Sequence, residues 1–360
     1  MSTSNLDAYD LSQVPLDGEI HEDVLSKLIR VDEWDNPFLA MCGGRKVGNP
    51  YYSWTTRDYA PAELTGQLVD GADATGNDVR TGIRVGNHTQ ILNRVIRVSE
   101  GAQSADTIAT ANELALQVQE RGVELLRTIS AQGTSNNGSL AGTDTIPGVS
   151  AGLNAWLQNT KIDGTTATGV IQSVASAGAS TDGGWANRSG NEVPGRDYTG
   201  VTSGAASETA LKDAMQAIYK QGGNPTKLFA RPELVRKMSE YFFDAGARIA
   251  TLEGRVDQSN TGGLNAQGRV NVWISDFSAT TIVPDRNMVI ADTATSSDTI
   301  FIIDPSQLRK VDYQAMRLNN LAKTGTADNR QLVWYGGYQV DAWPKLGAIV
   351  DVDATAAMVG

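Results

Sequence analysis

Two strand-like runs lie far apart in this sequence, and one long amphipathic helix follows them. The first run, Tyr51-Tyr52-Ser53-Trp54-Thr55-Thr56-Arg57-Asp58-Tyr59, is rich in aromatic and β-branched residues. The second, residues 81–98, carries Ile83, Val85, Ile91, Leu92, Val95, Ile96 and Val98. Between them, residues 60–80 are polar and rich in Gly, Asp and Ala. Compact hairpins turn within roughly two to five residues, and longer structureless connections are usually functional. A long hairpin with so little apolar content at its tip cannot bury itself on its own domain. It requires a partner surface, which points to a self-assembling structural protein rather than an enzyme. The helix is expected over residues 104–131. Ile108, Ala111, Leu114, Ala115, Val118, Gly122, Leu125, Leu126 and Ile129 form one stripe. Ser104 or Asp106 is the expected cap and Gly133 the expected end. At the helical rise it would run roughly 40 Å, long enough to serve as the backbone of a domain.

The remainder divides by pattern. Residues 1–49 read as an extended arm with a short helix at 22–31 and a turn at Asp35-Asn36-Pro37-Phe38. Residues 132–204 are rich in Gly, Ser, Thr, Asn and Ala and read as loops decorating an α/β unit. That unit comprises a helix over 207–221 capped by Ser207, a strand at 226–230, and a helix opened by Pro232. Short strands are expected at 270–274, 288–291, 300–303, 331–334 and 348–352.

The chain of 360 residues has a formal net charge of −11, which argues against gripping nucleic acid by phosphate neutralisation. The charge is uneven. Nine acidic residues face two basic ones in residues 1–36. No lysine lies between Lys46 and Lys161, whereas arginines recur there. Arginine favours planar, bidentate pairing with carboxylates. Arg57, Arg80, Arg84, Arg94 and Arg97 are therefore candidate contacts between subunits. Their candidate partners are Glu22 and Asp23 on the arm, and Glu113, Glu120 and Glu124 on the long helix.

Catalytic patterns are thin. Gly148-Val149-Ser150-Ala151-Gly152 matches the nucleophile elbow of α/β-hydrolases. That motif needs a strand before it and a histidine after it, yet Pro147 precedes it and both histidines, His21 and His88, lie upstream. A Gly-flanked turn is the stronger reading. Two distant histidines and one cysteine give no zinc set, and no phosphate loop occurs, so no metal or cofactor is expected. The lone Cys42 reads as a small buried apolar residue in a reducing compartment. No signal peptide or membrane-spanning run is evident. The tryptophans Trp54, Trp156, Trp273, Trp334 and Trp343 are expected in the core.

The order of these elements resembles the major capsid proteins of tailed bacteriophages with the HK97-type fold. Local stretches carry the resemblance: Tyr52-Ser53-Trp54 before the hairpin, Asn87-His88-Thr89-Gln90-Ile91 to Val98-Ser99 on its return, and Leu321-Ala322-Lys323-Thr324-Gly325 leading to Tyr335-Gly336-Gly337-Tyr338. The implied fold is α+β. Residues 1–49 would be the N-terminal arm, 50–100 the extended hairpin (E-loop), and 101–145 the peripheral domain with its spine helix. Residues 146–304 would be the axial domain, and 305–360 the return strands of the peripheral domain and the C-terminus. The resemblance implies hexamers and pentamers closing into an icosahedral shell around double-stranded DNA, in a virion assembled in the host cytoplasm. Its partners would be further copies of the chain, portal and scaffolding proteins and a decoration protein, with no membrane. Some relatives cross-link through a hairpin lysine, and this hairpin has none. An encapsulin-like non-viral shell is the alternative within the fold, and a serine hydrolase using Ser150 the alternative outside it.

Overall fold

The computed structural model describes residues 35–59, 64, 67, 69–73, 82–105, 112–161, 166, 169–243, 272–323 and 325–360. The expected arm helix at 22–31, with Glu22 and Asp23, lies outside them, as do Arg80 and most of 60–80.

The described chain opens with α1 (Pro37–Met41) and β1 (Gly43–Lys46). Where a turn was expected, Pro37 takes the first helical position and Phe38 is driven into the core. The two strand-like runs do pair. β2 (Tyr51–Thr56) lies antiparallel to β3 (Ile83–His88), with Thr56 opposite Ile83, so residues 57–82 connect the two strands. The second run is not one strand, however. It breaks at Thr89, and its second half, β4 (Gln90–Ser99), joins a different sheet. Thr89 makes the corner: its N–H and Oγ1 both donate to the Pro50 carbonyl at 2.8 Å.

The long helix also differs from expectation. Ser99 caps a short α2 (Glu100–Ser104), and Ser104 ends it. The main helix, α3 (Glu113–Thr134), starts at Asn112, whose side chain accepts from Ala115 N–H at 3.0 Å. It spans 22 residues and ends at Ser135 rather than at Gly133. Gly133 is a packing residue, because a Cβ there would collide with the rings of Phe38 and Tyr338. Leu114, Leu125 and Ile129 bury the predicted stripe against β4 and β11 (Ala327–Val340).

Two main sheets follow. The four-stranded sheet runs β1-β10-β11-β4, where β10 (Leu308–Asn320) and β11 form a long antiparallel hairpin and β1 pairs parallel to β10. The six-stranded sheet runs β5-β12-β9-β6-β8-β7. Its strands are β5 (Ile171–Ser173), β6 (Lys227–Ala230), β7 (Val272–Ile274), β8 (Ala279–Pro284), β9 (Ser297–Ile303) and β12 (Gly347–Asp353). Two helices flank β6, as the sequence indicates: α5 (Glu208–Lys220), capped by Ser207, and α6 (Pro232–Phe243). The expected strand at 288–291 is instead irregular chain that buries Met288.

β4 belongs with the return strands, and β12 leaves 305–360 to enter the second sheet between β5 and β9. Residues 132–204 are packed rather than decorative. They include a single helical turn, α4 (Leu153–Trp156), and bury Trp156, Trp185, Val193 and Tyr198. Buried Arg196 ties this segment together, pairing with Asp182 at 2.9 Å and donating to the Leu157 carbonyl at 2.9 Å. A buried charge is tolerable there because it is both paired and hydrogen-bonded.

Cys42, expected to be buried, is partly buried and packs against the core, and desolvation pushes its thiol up to about 12. Against the ordinary value of 9.0, that leaves about a thousandfold less thiolate, the reactive form, at neutral pH. The folded protein is expected to resist a thiol-specific disulfide reagent at pH 8 for hours, and to react fully once denatured. Native labelling within minutes would contradict this placement.

Candidate assembly surface

The site is the base of the hairpin and the face of the four-stranded sheet beside it. β3 is fixed to the core by Asn87, which is fully buried. Its Nδ2 donates to the carbonyl of Tyr338 (2.8 Å), to Ser150 Oγ (3.2 Å) and to the carbonyl of Ala151 (3.4 Å). Its Oδ1 accepts from Ala151 N–H at 3.1 Å. Tyr52 on β2 donates its hydroxyl to the same Tyr338 carbonyl at 2.5 Å, and burial pushes its phenol above the ordinary range. Gly337 leaves the room this requires, since a Cβ there would lie 2.5 Å from Ser150 Oγ and 2.7 Å from the Tyr52 hydroxyl. An aromatic series continues inward from Tyr52 through Trp54 and Trp156 to Trp185 and Trp343, with ring centroids 5.4–6.4 Å apart.

Ser150 therefore sits inside a structural junction. It is 1 % exposed, and its hydroxyl accepts from Asn87 and from Tyr338 N–H at 3.2 Å. His88 turns the other way, with Nδ1 2.8 Å from Ser139 Oγ. A buried hydroxyl that accepts two hydrogen bonds at the meeting of three chain segments holds structure. Among the described residues, no histidine or carboxylate is hydrogen-bonded to it.

The residues singled out by charge are distributed as follows. Arg57 lies exposed just beyond β2. Arg84 donates from Nε to Ser53 Oγ across the β2–β3 ribbon at 2.8 Å. Arg94 on β4 reaches α3 within the same chain: Nη2 donates to Thr128 Oγ1 at 2.9 Å, and Nε lies 3.8 Å from Glu124. Arg121 pairs with the same Glu124 at 2.6 Å. Glu113 and Glu120 both accept from Gln117, at 2.9 and 3.4 Å. Arg97 and Glu113 line an open cleft of about 750 Å³ with Ser99, Gln117 and Thr326. Sequence reasoning missed the Asn87–Ser150–Tyr338 junction, because its members are 63 to 251 residues apart and share no periodicity. It also missed Lys323, which joins Glu100 (3.1 Å) and Asp328 (2.8 Å) at the far end of the β10–β11 hairpin.

The sequence profile of the SU10 major capsid protein family matches residues 3–353. The chain belongs to that family. A curated relative, the major capsid protein of Escherichia phage Phieco32, is 30 % identical over 95 residues. That match spans 26 % of this chain and 27 % of the relative. The fold is the HK97 fold of phage capsids and encapsulins. The cyanophage Pam1 capsid superposes with a TM-score of 0.55 at 11 % identity, covering 99 % of this chain and all of that one. A Microbacterium phage Oxtober96 chain gives 0.54 at 11 % identity, covering 97 and 99 %. The SrpI encapsulin of Synechococcus elongatus PCC 7942 gives 0.53 at 9 % identity, covering 98 % of each. Membership of a structural capsid family agrees with the buried, hydrogen-bonded state of Ser150.

Proposed function

We propose that this capsid-family chain assembles into hexamers and pentamers that close into an icosahedral virion shell around double-stranded DNA. A portal at one vertex, scaffolding protein during assembly in the host cytoplasm and a decoration protein would be its other partners. The observation that carries this reading is the hairpin. Beyond the β2–β3 base, Tyr59 is 98 % exposed, Leu64 90 % and Val69 80 %. Large apolar groups this exposed gain little from their own core, and a neighbouring subunit's surface would bury them. In this reading the 60–80 segment overlaps a neighbouring subunit. Arg57, Arg80, Arg84, Arg94 and Arg97 line that boundary with Glu22, Asp23, Glu113, Glu120 and Glu124. Each exposed pair contributes about 0–1 kcal/mol, so their effect comes from repetition over the shell. Expression of the chain with its scaffolding protein, followed by electron microscopy, is expected to give closed shells. Small oligomers at every concentration would overturn the proposal. Shells that never admit DNA when the portal and packaging machinery are present would favour the encapsulin-like reading instead.

Lysine placement adds an expectation for the mature particle. An isopeptide link needs an amine nucleophile, and residues 47–160 offer none. Arginine stays protonated and cannot replace it. Mature particles boiled in detergent with reductant should therefore run as one band near 38.3 kDa. A ladder of covalent multimers would refute this.

A further inference from the structure

We infer that the outer edge of β10, at residues 317–320, is a strand-docking site completed by a second copy of this chain. The inference deepens the shell reading and depends on it. β1 covers only the first part of that edge, pairing Gly43–Lys46 with Arg309–Asp312. Val47 N–H closes the pairing on the Asp312 carbonyl at 3.1 Å, after which Gly48-Asn49-Pro50 carries the chain off into β2. Among the described residues, no strand pairs with this outer edge of β10 beyond that point; β11 pairs with the opposite edge.

The register shows which backbone groups are left. Leu321 N–H donates to the Asn329 carbonyl at 3.0 Å. Arg317 opposite Val333 and Asn319 opposite Gln331 continue that alternate set towards β11. Leu318 and Asn320 therefore turn their N–H and C=O groups outward. Register shifts lie between Asp312 and Arg317, so the regular open edge is four residues long, the same length as β1.

This edge lacks the usual protection. Residues 313–320 contain no proline and one charge, Arg317, while Met316 (42 % exposed) and Leu318 (38 %) present apolar side chains. Such an edge invites an added strand, whose main-chain hydrogen bonds give affinity. In a family that builds shells, the molecule held beside this edge at high local concentration is another copy. The same edge already accepts a four-residue strand in β1.

Amide hydrogen exchange of unassembled subunits and of assembled shells tests this directly. The amides of Leu318 and Asn320 are expected to exchange freely in the subunit and at least tenfold more slowly in the shell. The Leu321 amide should be protected in both. Edge amides already protected in the subunit would mean that the chain covers its own edge, and unchanged exchange in the shell would mean that nothing covers it. Either result overturns the inference. The variant Leu318→Pro removes only an outward N–H, which an edge strand tolerates. It should keep the subunit's melting temperature but lower shell yield at least tenfold, whereas Leu318→Ala should assemble normally. Folded Leu318→Pro subunits that assemble as wild type would show that strand pairing is not the contact. Failure of the wild-type chain itself to form shells would count against the shell reading instead.

Discussion

Replacing Asn87 with leucine is expected to destabilise the subunit by about 3–5 kcal/mol, lowering its melting temperature by roughly 5–15 °C. Leucine matches the side chain in volume but makes none of its hydrogen bonds. The Ala151 and His88 N–H groups lose their Asn87 acceptor, at 3.1 and 2.9 Å, while the Tyr338 carbonyl loses a 2.8 Å donor but keeps the Tyr52 hydroxyl. The Ala151 N–H left without its acceptor costs about 1–3 kcal/mol, and each lost bond to a group that keeps another partner about 0.5–1.5 kcal/mol. Ser150→Ala should cost less, about 1–2 kcal/mol, because Asn87 and its other partners remain in place. Thermal unfolding followed by circular dichroism separates the two. A Leu variant melting within two degrees or so of wild type would show that the junction does not hold the hairpin base. The consequence reaches assembly, since β3 is positioned on β11 through this contact. The destabilised variant should lose shell yield more steeply with temperature than Ser150→Ala.

The sequence discloses those parts of the fold in which local pattern and burial coincide. Ser207, the Leu211-Ala214-Met215-Ile218 stripe and Pro232 predict α5 and α6 correctly, because each helix buries one face at its own period. The hairpin base was legible for the same reason, since aromatic and β-branched residues flank a polar connection. β10 was not legible. Its Gln314, Arg317, Asn319 and Asn320 look like loop residues, and they form a strand because β11 supplies the ladder. Residues 132–204 hid a core because Trp156, Trp185 and Val193 are single anchors in a Gly- and Ser-rich chain. Their order comes from long-range bonds such as Arg196–Asp182, which have no period to detect. The candidate surface divides in the same way. Charge singled out Arg94 and Glu124 as candidate contacts between subunits, and in the structure they lie 3.8 Å apart within one chain, at the seam between β4 and α3. The edge at Leu318 carries no sequence signal, because it is defined by where β1 stops.

Joining Arg57 to Gly82 through a short Asn-Gly turn, which deletes the hairpin's extension, is expected to abolish shell formation while leaving a folded subunit. Thr56 and Ile83 form the last observed pair of the β2–β3 ribbon, so a tight turn can close it there without disturbing Asn87 or Tyr52. Tyr59, Leu64 and Val69 lie beyond that point and contribute almost nothing to their own core. Their loss should shift the subunit's melting temperature by no more than a few degrees. Assembly is a different matter. Burying each of these side chains against a neighbour contributes about 1.5–3 kcal/mol, an effect repeated at every subunit boundary of a closed shell. A triple change of Tyr59, Leu64 and Val69 to serine keeps the length and backbone of the hairpin. It should reproduce most of the defect if apolar contact carries the interaction, and little of it if the backbone or the arginines do. Sedimentation of assembled particles beside calorimetry of free subunits reads both quantities. A deletion variant that unfolds would place the extension in the chain's own core. One that forms shells at wild-type yield would remove the hairpin from the assembly contact altogether.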